Sequence, residues 1–166
     1  MATGVTEQAL AISLSAWFAM TGWFVGSLAL LENWKSAARL WAVGCGSLLL
    51  HLAIAFHFAH GWSHAAAFEH TRRAGGFGEG LYANYAFAAL WFTDAAWLGT
   101  FAASYRRRPR WLTFAIHGFL SFMVFNAMVV FGTWPARGLF FAFVFFATRR
   151  ISFPSSSRLP ESSITR

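Results

Sequence analysis

The amino-acid sequence predicts an all-α integral membrane protein: a bundle of four transmembrane helices, a short fifth apolar segment and a disordered C-terminal tail. Two features of composition support this prediction, since the 166 residues are 57% hydrophobic and only 11% charged. Soluble domains carry about 25% charged residues. The third observation is that the apolar residues gather in runs of about 20 or more, the length that crosses a bilayer as a helix.

Polar segments divide the chain into one transmembrane domain, residues 1–148, and a tail, residues 149–166. The predicted spans are 9–31, 40–66, 81–104 and 111–132. The segment 138–147 is strongly apolar, but ten residues of helix rise only about 15 Å, half of the hydrocarbon core. The tail is rich in Ser, Pro and Arg, which predicts disorder.

The boundaries of the spans are also visible in the sequence. The first span ends at the polar stretch from Glu32 to Arg39. The second is followed by FEHTRRAGGFGEG, whose four glycines between Gly75 and Gly80 predict a turn. The third ends at the run RRRPR, in which Pro109 is placed to open the fourth helix at its first turn.

The net charge of +7 arises from arginines in short loops and in the tail, which indicates membrane topology and not a nucleic-acid partner. The first loop carries Lys35 and Arg39, and the third carries the RRRPR run. Positive loops favour the cytoplasmic side, so we expect an N-terminus outside a bacterial cytoplasmic (inner) membrane. The expected partners are the lipid bilayer, whose anionic head groups attract arginine, and a homo-oligomer or larger membrane complex.

Four histidines lie within fourteen residues of the second predicted span: His51, His57, His60 and His64. Polar groups cost free energy in hydrocarbon, so their presence there indicates a functional site. In a continuous helix the spacings of three and four place the last three on one face. The i, i+4 pair of His60 and His64 is a spacing that can chelate one metal ion.

Asp94 lies near the centre of the third predicted span, where an aspartate costs about 2.5–3.5 kcal/mol on insertion scales. It therefore needs a partner, a proton or water. Asp94 and His51 are predicted to lie at the same depth in the bilayer, so we expect a contact between them. His117 of the fourth span is expected to join this contact. A b-type haem requires two histidines on facing helices, which His51 or His57 together with His117 could supply. Further polar side chains expected to support the site are Asn84, Tyr85, Glu69 and Asn126.

The sequence is compatible with three functions, and the density of histidines favours the first of them. The first is a metal or haem protein with a redox or metal-handling role, in which the cofactor is haem b or a transition metal (Cu, Fe or Zn). The second is a proton-coupled transporter component, since intramembrane Asp and His residues form proton relays. The third is an accessory or assembly subunit with no cofactor. No HExxH or CxxCH motif is present, so a zinc peptidase and a c-type haem have no support, and enzymatic activity stays open.

Small residues in the first two spans predict close helix packing. Gly22 and Gly26 form a GxxxG pair, which lets two helix backbones approach, and packing inside the bundle is favoured over dimerisation. Cys45 is the only cysteine, so no intramolecular disulfide is available, and we expect a small buried thiol.

Overall fold

The computed structural model describes the backbone of residues 2–152 and the side chains of residues 6–149. Over these residues the chain forms seven α-helices and a π-helical turn, with no β-strand. The helices are α1 (Ala2–Leu31), α2 (Ala37–His60), α3 (His64–Gly75), α4 (Gly80–Thr100), α5 (Ala102–Arg107), α6 (Arg110–Phe125) and α7 (Trp134–Ser152), with the π-helical turn (Asn126–Val130) between α6 and α7. The predicted all-α class is confirmed.

Three helical segments in the described part of the chain are long and apolar enough to cross a membrane: Thr6–Leu31, Ala37–His60 and Arg110–Val130. They correspond to the first, second and fourth predicted spans and indicate a membrane protein. The third predicted span corresponds to α4, which is not among these three segments.

The predicted second span, 40–66, is wrong at its C-terminal end, because α2 stops at His60 and a new helix starts at His64. Gly61 adopts a left-handed conformation with φ of 54°, and the Trp62 N–H donates to the Phe56 carbonyl (2.9 Å). This is the usual glycine-ended helix terminus. Ser63 then caps α3, since its hydroxyl accepts from the Ala66 N–H (3.2 Å).

Helices α1 and α2 form an antiparallel hairpin whose backbones meet at glycines. A Cβ added to Gly22 would lie 2.6 Å from the Gly44 Cα, and one added to Gly26 would lie 2.8 Å from the Trp41 ring. The GxxxG pair is therefore used within the bundle, as predicted. Cys45 is buried beside this contact, with 2% of its surface exposed. The prediction that Cys45 is a buried thiol is therefore confirmed.

Aromatic residues join α4 to α2 and to α3. Just past the middle of α4, the ring of Trp91 lies 5.0 Å from the ring of Trp41 on α2, centroid to centroid. At the N-terminal end of α4, Tyr82 and Tyr85 pack against the ring of His64 at the start of α3, at 6.0 and 5.9 Å. These contacts set α4 antiparallel to α2, so that the C-terminal half of α4 lies beside the N-terminal end of α2.

The described residues divide into two compact units, one that ends at Val124 and a second that begins at Phe125. In it the rings of Phe125 and Phe140 lie 5.6 Å apart, and Met128 of the π-helical turn is buried. The predicted apolar segment 138–147 lies within α7, which has 19 residues and continues to Ser152, four residues into the predicted tail. Residues 153–166 of that tail lie outside the described residues.

Candidate functional site

Asp94 is 1% exposed and lies on the buried face of α4. Trp91, Ala95 and Leu98 share that face, at the spacing of one side of a helix, whereas the intervening Phe92 is exposed. Six residues separate Asp94 from the C-terminal end of α4, a rise of about 9 Å. The carboxylate is therefore within reach of long side chains from the following loop.

Donors from three parts of the chain surround the Asp94 carboxylate. The Trp41 indole Nε1 donates to Oδ2 (2.9 Å), and the Tyr105 hydroxyl donates to the same oxygen (3.0 Å). The Arg108 Nη1 donates to Oδ1 and forms an ion pair in which the side chains are 4% and 0% exposed. The buried charge thus has its counter-charge and hydrogen bonds, without which it would be strongly destabilising.

The same guanidinium also faces His117 on α6. Arg108 Nη2 lies 3.0 Å from His117 Nε2 and donates to the Tyr105 hydroxyl oxygen (2.9 Å), while Nε donates to the Thr113 hydroxyl (2.9 Å). His117 Nε2 is 3.9 Å from Asp94 Oδ2. We name as the polar centre the five residues Trp41, Asp94, Tyr105, Arg108 and His117.

The local backbone explains how Arg108 reaches this position. Phe101, with φ of −127° and ψ of 50°, ends α4, and the short α5 follows at once. Arg108 is extended (φ −62°, ψ 147°), the conformation that a following proline favours. The chain therefore turns at Arg108 and Pro109, and the Arg108 side chain points inward while Arg106 and Arg107 remain exposed.

The hydrogen-bond directions in the polar centre show which atoms of His117 and Tyr105 carry a proton. Because arginine has only donors, His117 Nε2 must be the acceptor, which places the proton of the neutral ring on Nδ1. The His117 ring also packs against the Trp41 ring, with centroids 5.5 Å apart. Burial, assisted by the Asp94 charge, raises the pKa of the Tyr105 hydroxyl, so it remains a protonated donor.

The predicted contact between His51 and Asp94 is wrong. His51 Nδ1 lies 3.0 Å from the Ser15 hydroxyl of α1, and the carboxylate is occupied by the donors described above. The physical reason is the register of the helices: Asp94 is level with Trp41, ten residues before His51 on α2, a distance of about 15 Å along the axis. The expected proximity of Asp94 and His117 is confirmed by their 3.9 Å separation.

His57 and His60 lie near the C-terminal end of α2, but His64 lies on α3, so the three histidines do not share one helix face. His57 is exposed and accepts from the Trp62 indole (3.2 Å). His64 belongs to α3, where its Nδ1 lies 3.0 Å from the Tyr85 hydroxyl, and so the predicted i, i+4 pair with His60 is wrong. His60 instead packs against His70, with ring centroids 5.2 Å apart.

Neither Glu69 nor Asn84 belongs to the polar centre. Glu69 is held by Arg72 (2.7 Å) and Arg73 (2.9 Å), Asn84 is exposed, and Asn126 belongs to the second compact unit. Over the described residues, no three His, Cys, Asp or Glu side chains are close enough together to hold a metal ion.

Glu69 makes a pH-dependent contact outside the candidate membrane-crossing segments. Hydrogen bonds from Arg72 and Arg73 lower the pKa of Glu69 from 4.5 to about 2. A depressed carboxyl pKa stabilises the folded state above pH 4.5, and this contribution is lost as the pH falls toward 2. Carboxyl ¹³C shifts in micelles are expected to titrate near pH 2. The double variant Arg72→Gln/Arg73→Gln should return the midpoint toward 4.5, and an unchanged midpoint would contradict the ion pairs.

An open cleft of about 710 Å³ lies beside the polar centre, where the end of α4, α5 and the turn at Arg108 and Pro109 meet. It is lined by Trp97, Thr100, Phe101, Ala102, Ala103, Ser104, Arg107, Arg108 and Pro109. We name it the basic cleft, since Arg107 and Arg108 line it and the exposed Arg106 and Arg110 are adjacent to the lining residues along the chain.

Comparison with protein-family models, curated proteins and solved structures finds no match to this chain. Sequence reasoning missed Trp41, Tyr105 and Arg108, and it treated the last only as a topology-setting charge. A signal for Arg108 was present, since a cation is one of the partners that a buried aspartate can have and the nearest arginines in sequence are Arg106 to Arg108, at the end of the third predicted span.

Proposed function

We propose that the chain is a proton-coupled transporter component, in which the polar centre takes up and releases protons. One observation carries the proposal: Arg108 is shared between the Asp94 carboxylate and the unprotonated Nε2 of His117, and that nitrogen is 3.9 Å from Asp94 Oδ2. Intramembrane carboxylate and imidazole pairs are the usual components of proton relays.

The proposal includes a fourth membrane crossing by α4. Its 21 residues rise about 31 Å, enough for the hydrocarbon core. Asp94 is its one charged side chain, and the pairing with Arg108 offsets the insertion cost of that charge. The arginine-rich loop then faces the cytoplasm and the N-terminus lies outside, in a bacterial inner membrane. Four helices are few for a complete transporter, so the expected partner is a second copy or a larger complex.

A proton on His117 Nε2 changes which groups attract one another in the polar centre. The ring would no longer accept from Arg108 Nη2, and two positive charges would face each other there. The imidazolium would instead be attracted to Asp94 Oδ2, in competition with Arg108. Protonation thus favours a second arrangement in which Arg108 is less tightly held, and a proton gradient can bias such a two-state element.

Proton uptake by proteoliposomes tests this proposal. With a potassium diffusion potential and an internal pH dye, the unmodified protein is expected to take up protons faster than protein-free vesicles. His117→Gln and Asp94→Asn should abolish the uptake. His51→Gln is the matched control, because it removes an imidazole that contacts Ser15 and not the polar centre. Uptake equal to that of empty vesicles, or equal loss in all three variants, would contradict the proposal.

A second candidate is the metal or haem protein predicted from the histidines, and one observation favours it. The rings of His60 and His70 lie 5.2 Å apart, so two imidazoles from different helices are adjacent. Haem b would give a Soret band in detergent-purified protein, and copper, iron or zinc would be found by elemental analysis. A colourless preparation without these metals, even after incubation with them, would eliminate this candidate.

The third hypothesis, an accessory subunit, predicts a different result for the same variants. In that case His117→Gln and Asp94→Asn would lower stability or partner binding, and no protein-dependent proton uptake would exist to be lost. The satisfied hydrogen bonds of the polar centre are the observation in its favour.

A further inference from the structure

We infer that the basic cleft binds the phosphate head group of an anionic phospholipid. This inference does not depend on proton transport, because it rests on the exposed arginines and the cleft walls. The cleft volume of about 710 Å³ is within the range of small-molecule sites.

The charges around the cleft are unbalanced. Among the described residues, Arg106, Arg107 and Arg110 have no acidic partner, whereas Arg108 is already paired with Asp94. Three exposed guanidinium groups therefore lie within five residues of chain. Arginine presents its donors in a planar fork that matches phosphate oxygens, so an anionic phosphate is the complementary ligand.

The walls of the cleft suit the boundary between lipid head groups and acyl chains. Phe101 is 66% exposed, and Trp97 directs its indole N–H to the Ser104 hydroxyl (3.3 Å), leaving an aromatic surface beside hydroxyl groups. Aromatic residues with this mixed character concentrate at membrane interfaces.

The place of the cleft along the chain identifies a lipid as the occupant. The membrane-crossing segment Arg110–Val130 begins one residue after Pro109, which lines the cleft. The arginines are thus at the level where lipid phosphates lie, and the acyl chains of a bound lipid could remain in the bilayer. A soluble phosphate ester would have the same head-group chemistry but no such continuity.

Native mass spectrometry of the full chain in detergent, titrated with phosphatidylglycerol or phosphatidylcholine, tests the inference. We expect tighter binding of phosphatidylglycerol. Arg107→Gln should weaken it about fivefold, the factor that one arginine near a membrane surface contributes. Arg39→Gln is the matched control, because it removes the same charge from an exposed position near the start of α2 and should leave the affinity unchanged.

Three results would overturn the inference. Equal affinity for the two lipids would exclude charge recognition, and equal weakening by Arg107→Gln and Arg39→Gln would indicate diffuse attraction to the surface. Displacement of the lipid by millimolar glycerol phosphate would assign the cleft to a soluble phosphate ester. Circular dichroism would check that each variant is folded, and the proton-uptake assay is a separate readout.

Discussion

Replacing Arg108 with Met is expected to destabilise the protein by about 3–5 kcal/mol, because the Asp94 carboxylate is left buried without its cation. The substitution also removes the donors to the Tyr105 hydroxyl, to His117 and to the Thr113 hydroxyl. The free energy of unfolding can be measured by circular dichroism in mixed micelles at increasing fractions of denaturing detergent.

Two controls distinguish the effect of breaking the Asp94–Arg108 ion pair from the effect of removing an arginine elsewhere. Arg106→Met removes an exposed neighbouring guanidinium and should change stability by less than about 0.5 kcal/mol. Asp94→Asn/Arg108→Met removes both charges and should be less destabilised than Arg108→Met alone, because no uncompensated charge remains. If Arg108→Met loses no more stability than Arg106→Met, the ion pair does not hold the helices together.

Replacing Gly44 with Ala is the second substitution with a large expected effect. The added methyl group would lie 2.7 Å from the Gly22 carbonyl oxygen and 3.0 Å from the Trp91 ring, so α2 must move away from α1 or α4. Overpacking of this kind costs about 1–3 kcal/mol, and the same unfolding measurement would detect it.

Gly46 provides a matched control two residues along the same helix. A Cβ there meets nothing within 4 Å, so Gly46→Ala should be neutral or stabilising by about 0.5–1 kcal/mol through reduced backbone freedom. Equal effects of Gly44→Ala and Gly46→Ala would show that α1 and α2 do not approach each other at these glycines.

The sequence was sufficient for most of the helical architecture because composition and apolar run length act over whole segments. The first, second and fourth predicted spans correspond to the three candidate membrane-crossing segments. The packing role of Gly22 and Gly26 was also predictable, since small residues at that spacing let two helix backbones approach.

The end of α2 was missed because hydropathy does not register backbone conformation. By hydropathy, the residues from Gly61 to Ser63 continue the apolar run of α2. In the structure, Gly61 ends α2 and Ser63 caps the start of α3. These are standard stop and start signals, and they separate His64 from His60.

The polar centre was predicted only in part, because depth alone does not determine which helix faces meet. Asp94 and His117 were identified, but His51 was chosen as a partner on the assumption that α2 and α4 are level at their centres. The pairing of Asp94 with Arg108 depends on the end of α4 at Phe101 and on the extended residue before Pro109. Those features arise from local backbone geometry and not from hydropathy.

The central claim, that Asp94 is an ionised carboxylate paired with Arg108 inside the helix bundle, is tested most directly by solid-state NMR in lipid bilayers. With ¹³C-labelled aspartate and ¹⁵N-labelled arginine, we expect a strong dipolar coupling between the Asp94 carboxyl carbon and the guanidinium nitrogens of Arg108, at the chemical shift of a carboxylate. A carboxyl carbon with the shift of a protonated acid and no coupling to any guanidinium would contradict the account.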